Sequence, residues 1–131
     1  MTLVRKAQPF DPTDPEPDFA NAVHATLFER LGLVADQVYF YTAVNSPLDY
    51  KGTDGWFEVH RPNRGMTYVT VDLTTNPNKA DGYKADIVFL VPAEGLDRRV
   101  DRKEFKEFIE YTNKLVDLII EELERLELKY G

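Results

Sequence analysis

Two aspartates in the middle of the sequence are the strongest candidates for chemistry. Asp54 stands within residues 49–58, and Asp72 lies near the end of an alternating run at 66–73. Carboxylate oxygens are the ligands that Mg²⁺ and Mn²⁺ prefer, usually one or two of them with water and substrate phosphate. A metal held in this way polarises a phosphoryl oxygen and makes a bound water nucleophilic. The pair therefore suits metal-dependent hydrolysis of a phosphodiester.

A predicted hairpin brings these two aspartates together. Residues 56–60 and 66–73 have the composition of strands, and the RPNRG stretch at 61–65 suits the connection between them. If the loop centres near Asn63, Asp54 lies about nine residues before it and Asp72 about nine after it. Two carboxylates opposite each other on a ladder repel unless a cation joins them. This repulsion is the main physical reason to expect a metal.

The same residues carry a resemblance to a known group of enzymes. A glycine shortly before an aspartate that opens a hairpin, followed by a second acid on the next strand, resembles the PD-(D/E)XK nuclease-like superfamily over roughly residues 19–91. The resemblance implies that Asp54 and Asp72 are catalytic residues that bind Mg²⁺ or Mn²⁺. It also implies that Glu29, on the preceding helix, completes the metal site.

The lysine of the superfamily is displaced in this sequence. The superfamily places it two residues after the second acid, where this chain has Thr74. The resemblance therefore implies that Lys79 or Lys84 reaches the site from a later position and assists the nucleophile as a catalytic residue. Lys51 is a further candidate for that role.

Two classes of function follow from this pattern. The resemblance implies a metal-dependent endonuclease that hydrolyses phosphodiester bonds, with DNA as the expected nucleic-acid partner. The alternative is a non-catalytic binding or assembly subunit that keeps the fold and forms a homodimer through its last helix. Thr74 favours the subunit, whereas the crowding of Asp54 and Asp72 favours the nuclease.

Each candidate residue also has a purely structural interpretation. Asp54 precedes glycine, and Asp-Gly is a common turn dipeptide. Asp72 could cap the following loop or pair with a lysine. Glu29 fits a solvated helix carboxylate, and Lys79 and Lys84 fit solvated surface lysines. These readings stay open at the level of the sequence.

The elements that must position the candidates are a helix, four strands and a second helix. The patterns predict a first helix between Asp18 and Gly32, strands over 38–44, 56–60, 66–73 and 85–91, and a long helix over about 102–126. The predicted fold class is α/β, with a mixed central sheet of about four strands flanked by helices, in the order α-β-β-β-β-α. The resemblance implies a restriction-endonuclease-like version of that fold. Residues 85–91 are apolar on both faces, which predicts a central strand.

Composition sets the remaining expectations. The length of 131 residues predicts a single domain, at 19–131 with a long C-terminal helix, behind an extended leader rich in proline and aspartate at 1–18. The resemblance implies that this domain is nuclease-like. The absence of cysteine excludes disulfides, thiolate metal sites and cysteine nucleophiles. We find no apolar run long enough to span a membrane and no secretory signal, so we expect a cytoplasmic protein with no membrane partner.

The charge of the chain is unevenly distributed. Residues 49–84 hold five positive and five negative side chains, so the other segments carry the whole formal charge of −7. That charge argues against a protein that coats nucleic acid by bulk attraction. A divalent cation bound within 49–84 would make this section locally positive.

Overall fold

The computed structural model describes residues 10–15, 18–42, 55–62, 64–74, 85–92 and 102–130, with side chains for 105–127 of the last segment. The predicted order α-β-β-β-β-α is confirmed. A short 3₁₀ helix, Ala35–Gln37, precedes the first strand. The helices are α1 (Asp18–Arg30) and α2 (Arg102–Tyr130), and the strands are β1 (Val38–Thr42), β2 (Gly55–Arg61), β3 (Gly65–Thr74) and β4 (Ile87–Leu90).

The described strands form one mixed sheet in the order β1-β2-β3-β4. β2 pairs antiparallel with β1 and β3, while β4 runs parallel to β3. The prediction that residues 85–91 form a central strand was wrong for this sheet, because β4 stands at its end. Only Ile87 and Phe89 are buried in the core, and Leu90 is 48% exposed.

The hairpin between β2 and β3 is confirmed at the predicted connection. The Arg64 N–H donates to the Arg61 carbonyl at 3.1 Å, and Arg61 pairs with Gly65. Gly65 has φ +75°, a conformation that favours glycine because it has no Cβ. The ladder then runs to its last described pair, Gly55 with Val71.

The first helix ends at the predicted glycine. Gly32 has φ +70°, its N–H donates to the Glu29 carbonyl at 3.1 Å, and the Leu33 N–H donates to the Phe28 carbonyl at 2.8 Å. These two bonds form a Schellman motif, which satisfies carbonyls that the helix end leaves without helical partners. The chain then turns into the 3₁₀ helix that leads to β1.

Both helices pack against the same face of the sheet. α1 buries Val23 and Leu27 there, and its His24 Nε2 lies 2.7 Å from the Val38 carbonyl oxygen. α2 follows its predicted apolar stripe, except that Phe105 and Ile109 are 47% and 41% exposed near its start. Burial of each large apolar side chain stabilises the fold by about 1.5–3 kcal/mol. The core cluster joins the two helices to all four strands: Val23, Leu27, Val38, Phe57, Val59, Val69, Val71, Ile87, Phe89, Leu115, Val116, Ile119 and Leu123.

The described part of the predicted leader, residues 10–15, lies against β1 and α1. The Phe10 ring stacks on Phe40 with centroids 6.1 Å apart, and the Phe40 N–H donates to the Pro12 carbonyl at 2.9 Å. Pro15 is fully buried, and the Asn21 amide donates to its carbonyl at 2.9 Å. This segment therefore supplies main-chain bonds and apolar contacts to the domain.

Gly55 is a point of close approach between β2 and β1. A Cβ at this position would lie 2.6 Å from the Tyr41 carbonyl oxygen and 2.9 Å from the Phe40 ring. We expect Gly55→Ala to lower the free energy of unfolding by about 1–3 kcal/mol, because β1 must shift to admit the methyl group. Urea unfolding followed by Trp56 fluorescence measures the change.

The control for this prediction is Met66→Leu, on an exposed position of β3. It should change the free energy of unfolding by less than about 0.5 kcal/mol. An unchanged value for Gly55→Ala would contradict the close approach of the two strands.

Candidate functional site

Among the described residues, the sheet face opposite the helices carries the buried acids Glu58 and Asp72. Side chains alternate between the two faces of a strand, and Phe57, Val59, Val69 and Val71 point into the helix-covered core. The opposite face therefore carries the intervening side chains, and we call it the polar face. It is defined by Tyr39, Tyr41, Trp56, Glu58, His60, Met66, Tyr68, Thr70 and Asp72.

Asp72 is the predicted site residue that the structure describes on this face. It stands near the end of β3, opposite Val88 of β4, and it is 2% exposed. A carboxylate at this depth loses much of its hydration, so its charge requires compensation within the protein. Asp54, Lys79 and Lys84 lie outside the described residues.

The described ladder agrees with the register predicted from the loop position. Its last pair joins Gly55, the residue after Asp54, to Val71, the residue before Asp72. The pairing is therefore set on both strands up to the immediate neighbours of the two aspartates. A shift of one residue would have sent Asp72 to the helix-covered face.

Glu29 does not join Asp72. It is exposed on α1, the helix that packs against the face opposite to the polar face. The helical pattern placed Glu29 at the edge of the apolar stripe, but its distance from Asp72 depends on which sheet face α1 covers. Within the described ranges, no group of three or more histidine, aspartate or glutamate side chains could hold a metal ion.

The chain can still offer magnesium a reduced set of ligands. Mg²⁺ is commonly held by one or two carboxylates, and water and substrate phosphates complete its shell. Asp72 supplies one buried carboxylate, and Asp54 would supply the second without Glu29. The fit of the metal therefore depends on Asp54 meeting Asp72.

Glu58 is a buried acid that the sequence patterns did not single out. It is 3% exposed, and the Trp56 Nε1–H donates to its Oε1 at 3.3 Å. His60 Nε2 lies 3.7 Å from the other carboxylate oxygen of Glu58. The sequence pattern that could have identified Glu58 is the alternation of Trp56, Glu58 and His60, which places all three side chains on one face of β2.

Aromatic rings surround this acid on the neighbouring strand. Tyr39 of β1 is the partner of Glu58 in the ladder, and its ring meets His60 edge-on at 5.2 Å. Tyr41 stacks on Trp56 with centroids 5.1 Å apart. Such ring pairs add about 0.5–1.5 kcal/mol beyond the burial of their area. They hold the Glu58 environment in one arrangement.

Two arginines of the hairpin have partners far from Asp72. Arg61 Nη1 and Arg64 Nη1 lie 3.3 and 3.2 Å from the same Glu127 oxygen of α2. Arg64 precedes β3 and Asp72 lies near its other end, about 25 Å away along the strand. These two guanidinium groups tie the hairpin to α2 and do not neutralise the candidate site.

Comparisons with protein families, curated proteins and solved structures gave no match to this chain. Within the described part of the chain, no helix has the length and apolar composition needed to span a membrane.

The contact between Trp56 and Glu58 gives a quantitative prediction. Trp56→Phe removes the N–H that donates to a buried carboxylate, and we expect it to lower the free energy of unfolding by about 1.5–3 kcal/mol through that bond. In a Glu58→Gln background the acceptor is neutral, so the loss should be smaller by about 1 kcal/mol.

Urea unfolding of the four proteins, followed by far-ultraviolet circular dichroism, completes this double-mutant cycle. The loss of ring volume is common to both backgrounds and cancels. If the changes in the free energy of unfolding caused by Trp56→Phe and Glu58→Gln add to within about 0.3 kcal/mol in the double variant, the two side chains are not coupled.

Proposed function

We propose that this chain is a metal-dependent nuclease that hydrolyses phosphodiester bonds of nucleic acid, with DNA as its substrate. The observation that carries the proposal is the β2–β3 ladder, whose last described pair adjoins both Asp54 and Asp72. Two carboxylates brought together at the end of a ladder are stable when a divalent cation neutralises them. The mixed sheet also fits the helix–hairpin–strand order of the PD-(D/E)XK resemblance.

In this proposal the two aspartates hold the metal and a displaced lysine assists it. Asp72 is suited to the role because burial lowers the local dielectric and strengthens its attraction for a cation. When bound, the metal would polarise the phosphoryl oxygen and activate water. Lys79 or Lys84 would orient the attacking water or stabilise the charge that develops on the phosphoryl group.

The charge distribution supports an anionic substrate at this section of the chain. Residues 49–84 contain equal numbers of positive and negative side chains, so one bound divalent cation would give them a positive net charge. A phosphate of nucleic acid would then be attracted to the site itself. The negative charge of the other segments would repel nucleic acid elsewhere on the surface.

The second candidate function is a non-catalytic binding or assembly subunit with the same fold. The observation that favours it is Thr74, which occupies the position of the superfamily lysine at the end of β3 and is 8% exposed. A buried threonine cannot supply the missing positive charge. In this alternative Asp72 has a structural role, and assembly takes place through α2.

Metal-dependent stability tests the proposal. We expect Mg²⁺ or Mn²⁺ at one hundred times its Kd to raise the free energy of unfolding by about 2.7 kcal/mol, because the ion binds the folded state alone. Asp72→Asn and Asp54→Asn should abolish this shift and the nicking of a mixed DNA substrate. Thermal melting with and without metal measures the first effect, and gel electrophoresis measures the second.

The matched control is Asp36→Asn, which removes an exposed carboxylate in the 3₁₀ helix and should preserve both effects. Lys79→Ala or Lys84→Ala should lose cleavage but keep the metal-dependent shift. A wild-type protein that shifts with metal but cuts neither DNA nor RNA would favour the non-catalytic subunit. A protein that neither shifts nor cuts would overturn the nuclease proposal.

A further inference from the structure

A groove runs between the last helix and the end strand of the described sheet. It has a volume of about 370 Å³ and separates the middle of α2 from the beginning of β4. We call it the β4 groove. The residues that matter for its chemistry are Asp86, Val88, Leu118, Glu121, Glu122 and Arg125.

The strand that borders this groove has one edge directed away from the sheet. The Val91 N–H donates to the Thr74 carbonyl at 2.8 Å, so Val91 turns its main chain toward β3. Successive residues of a strand direct their main-chain groups to alternate edges, and Val88 and Leu90 therefore direct theirs outward. No strand of the described sheet pairs with that edge. Such an edge can accept an additional strand.

The beginning of β4 is held in place before any partner binds. The Thr70 N–H donates to Asp86 Oδ2 at 2.9 Å, and the Asp86 N–H donates back to Thr70 Oγ1 at 2.8 Å. These two bonds fix the start of β4 against β3. A partner strand would thus meet a preorganised edge, which reduces the entropy lost on binding.

The walls of the groove combine an apolar surface with negative charge. Leu118 is 38% exposed on its helix wall. Three carboxylates and one arginine line the groove, and the arginine, Arg125, forms an ion pair with Glu122. Glu121 is exposed and forms no ion pair with another described side chain. The groove therefore carries a net negative charge beside an apolar surface.

We propose that the β4 groove binds an extended protein segment that carries lysine or arginine side chains and adds to the sheet beside β4. Strand addition supplies main-chain hydrogen bonds, and the groove selects the side chains. Basic side chains are favoured because Asp86, Glu121 and Glu122 outnumber Arg125. A second copy of this chain would bring a net charge of −7 to an acidic groove, and nucleic acid would bring a polyanion. This inference does not depend on the proposed nuclease activity.

Labelled synthetic peptides test the chemistry of the partner. We expect an eight-residue peptide of alternating lysine and valine to bind saturably in fluorescence anisotropy, and one of alternating glutamate and valine to bind at least about tenfold more weakly. Glu121→Lys should weaken the lysine peptide about tenfold. Glu110→Lys makes the same charge change at an exposed position of α2 outside the groove and should leave binding unchanged.

The mode of binding has its own test. Binding should slow hydrogen exchange at the Val88 and Leu90 amides. A lysine peptide that is N-methylated at alternate main-chain nitrogens, which lie along one edge of the extended peptide, should bind more weakly. Equal binding of the methylated peptide, or unchanged exchange at β4, would overturn strand addition. If Glu121→Lys and Glu110→Lys weaken binding of the lysine peptide equally, the peptide responds to the general negative charge of the protein. That result would overturn the proposed site.

Two further outcomes would also overturn the proposal. One is the absence of saturable binding of the lysine peptide up to about 1 mM. The other is a concentration-dependent dimer, seen by analytical ultracentrifugation, that Leu118→Arg abolishes, which would assign the groove to a second copy of the chain.

Discussion

The antiparallel pairing of β2 with β3 is the constraint on which the rest of the molecule depends. Its register alternates the side chains of both strands, so that Phe57 and Val71 enter the core while Glu58 and Asp72 enter the polar face. A slip of one residue on either strand would exchange the two faces and bury carboxylates beneath the helices. The short turn that ends at Gly65 holds this register, since a change in loop length would shift the whole ladder.

The one-sided arrangement of the helices divides the chemistry of the domain. α1 and α2 bury the apolar side chains of the sheet on one face, where burial of apolar area stabilises the fold. Among the described residues, the other face holds two acids that are nearly inaccessible, Glu58 and Asp72. Glu58 has Trp56 and His60 beside it, which accounts for its place in the structure. Asp72 follows Val71, which forms the last described pair of the ladder with Gly55, and this register gives the nuclease proposal its physical basis.

The two proposed surfaces of the molecule differ in the ligands they would attract. A metal bound by Asp72 and Asp54 would create local positive charge and attract the phosphates of nucleic acid. The β4 groove is acidic and lies along an outward-directed strand edge, so it would attract a basic protein segment and repel nucleic acid. The two proposed surfaces are neighbours, because Asp72 is the ladder partner of Val88, which lines the β4 groove.

The sequence by itself determined the element order, the apolar stripes of both helices and the hairpin register, because each follows from local periodicity and turn chemistry. Only the tertiary structure decided that β4 stands at an end of the described sheet and that Glu29 lies on the side away from Asp72. A helical pattern gives the angle of a side chain about its own axis but not the sheet face that the helix will cover. The burial of Glu58 was likewise unpredicted, since it depends on neighbours that non-local strand pairing brings together.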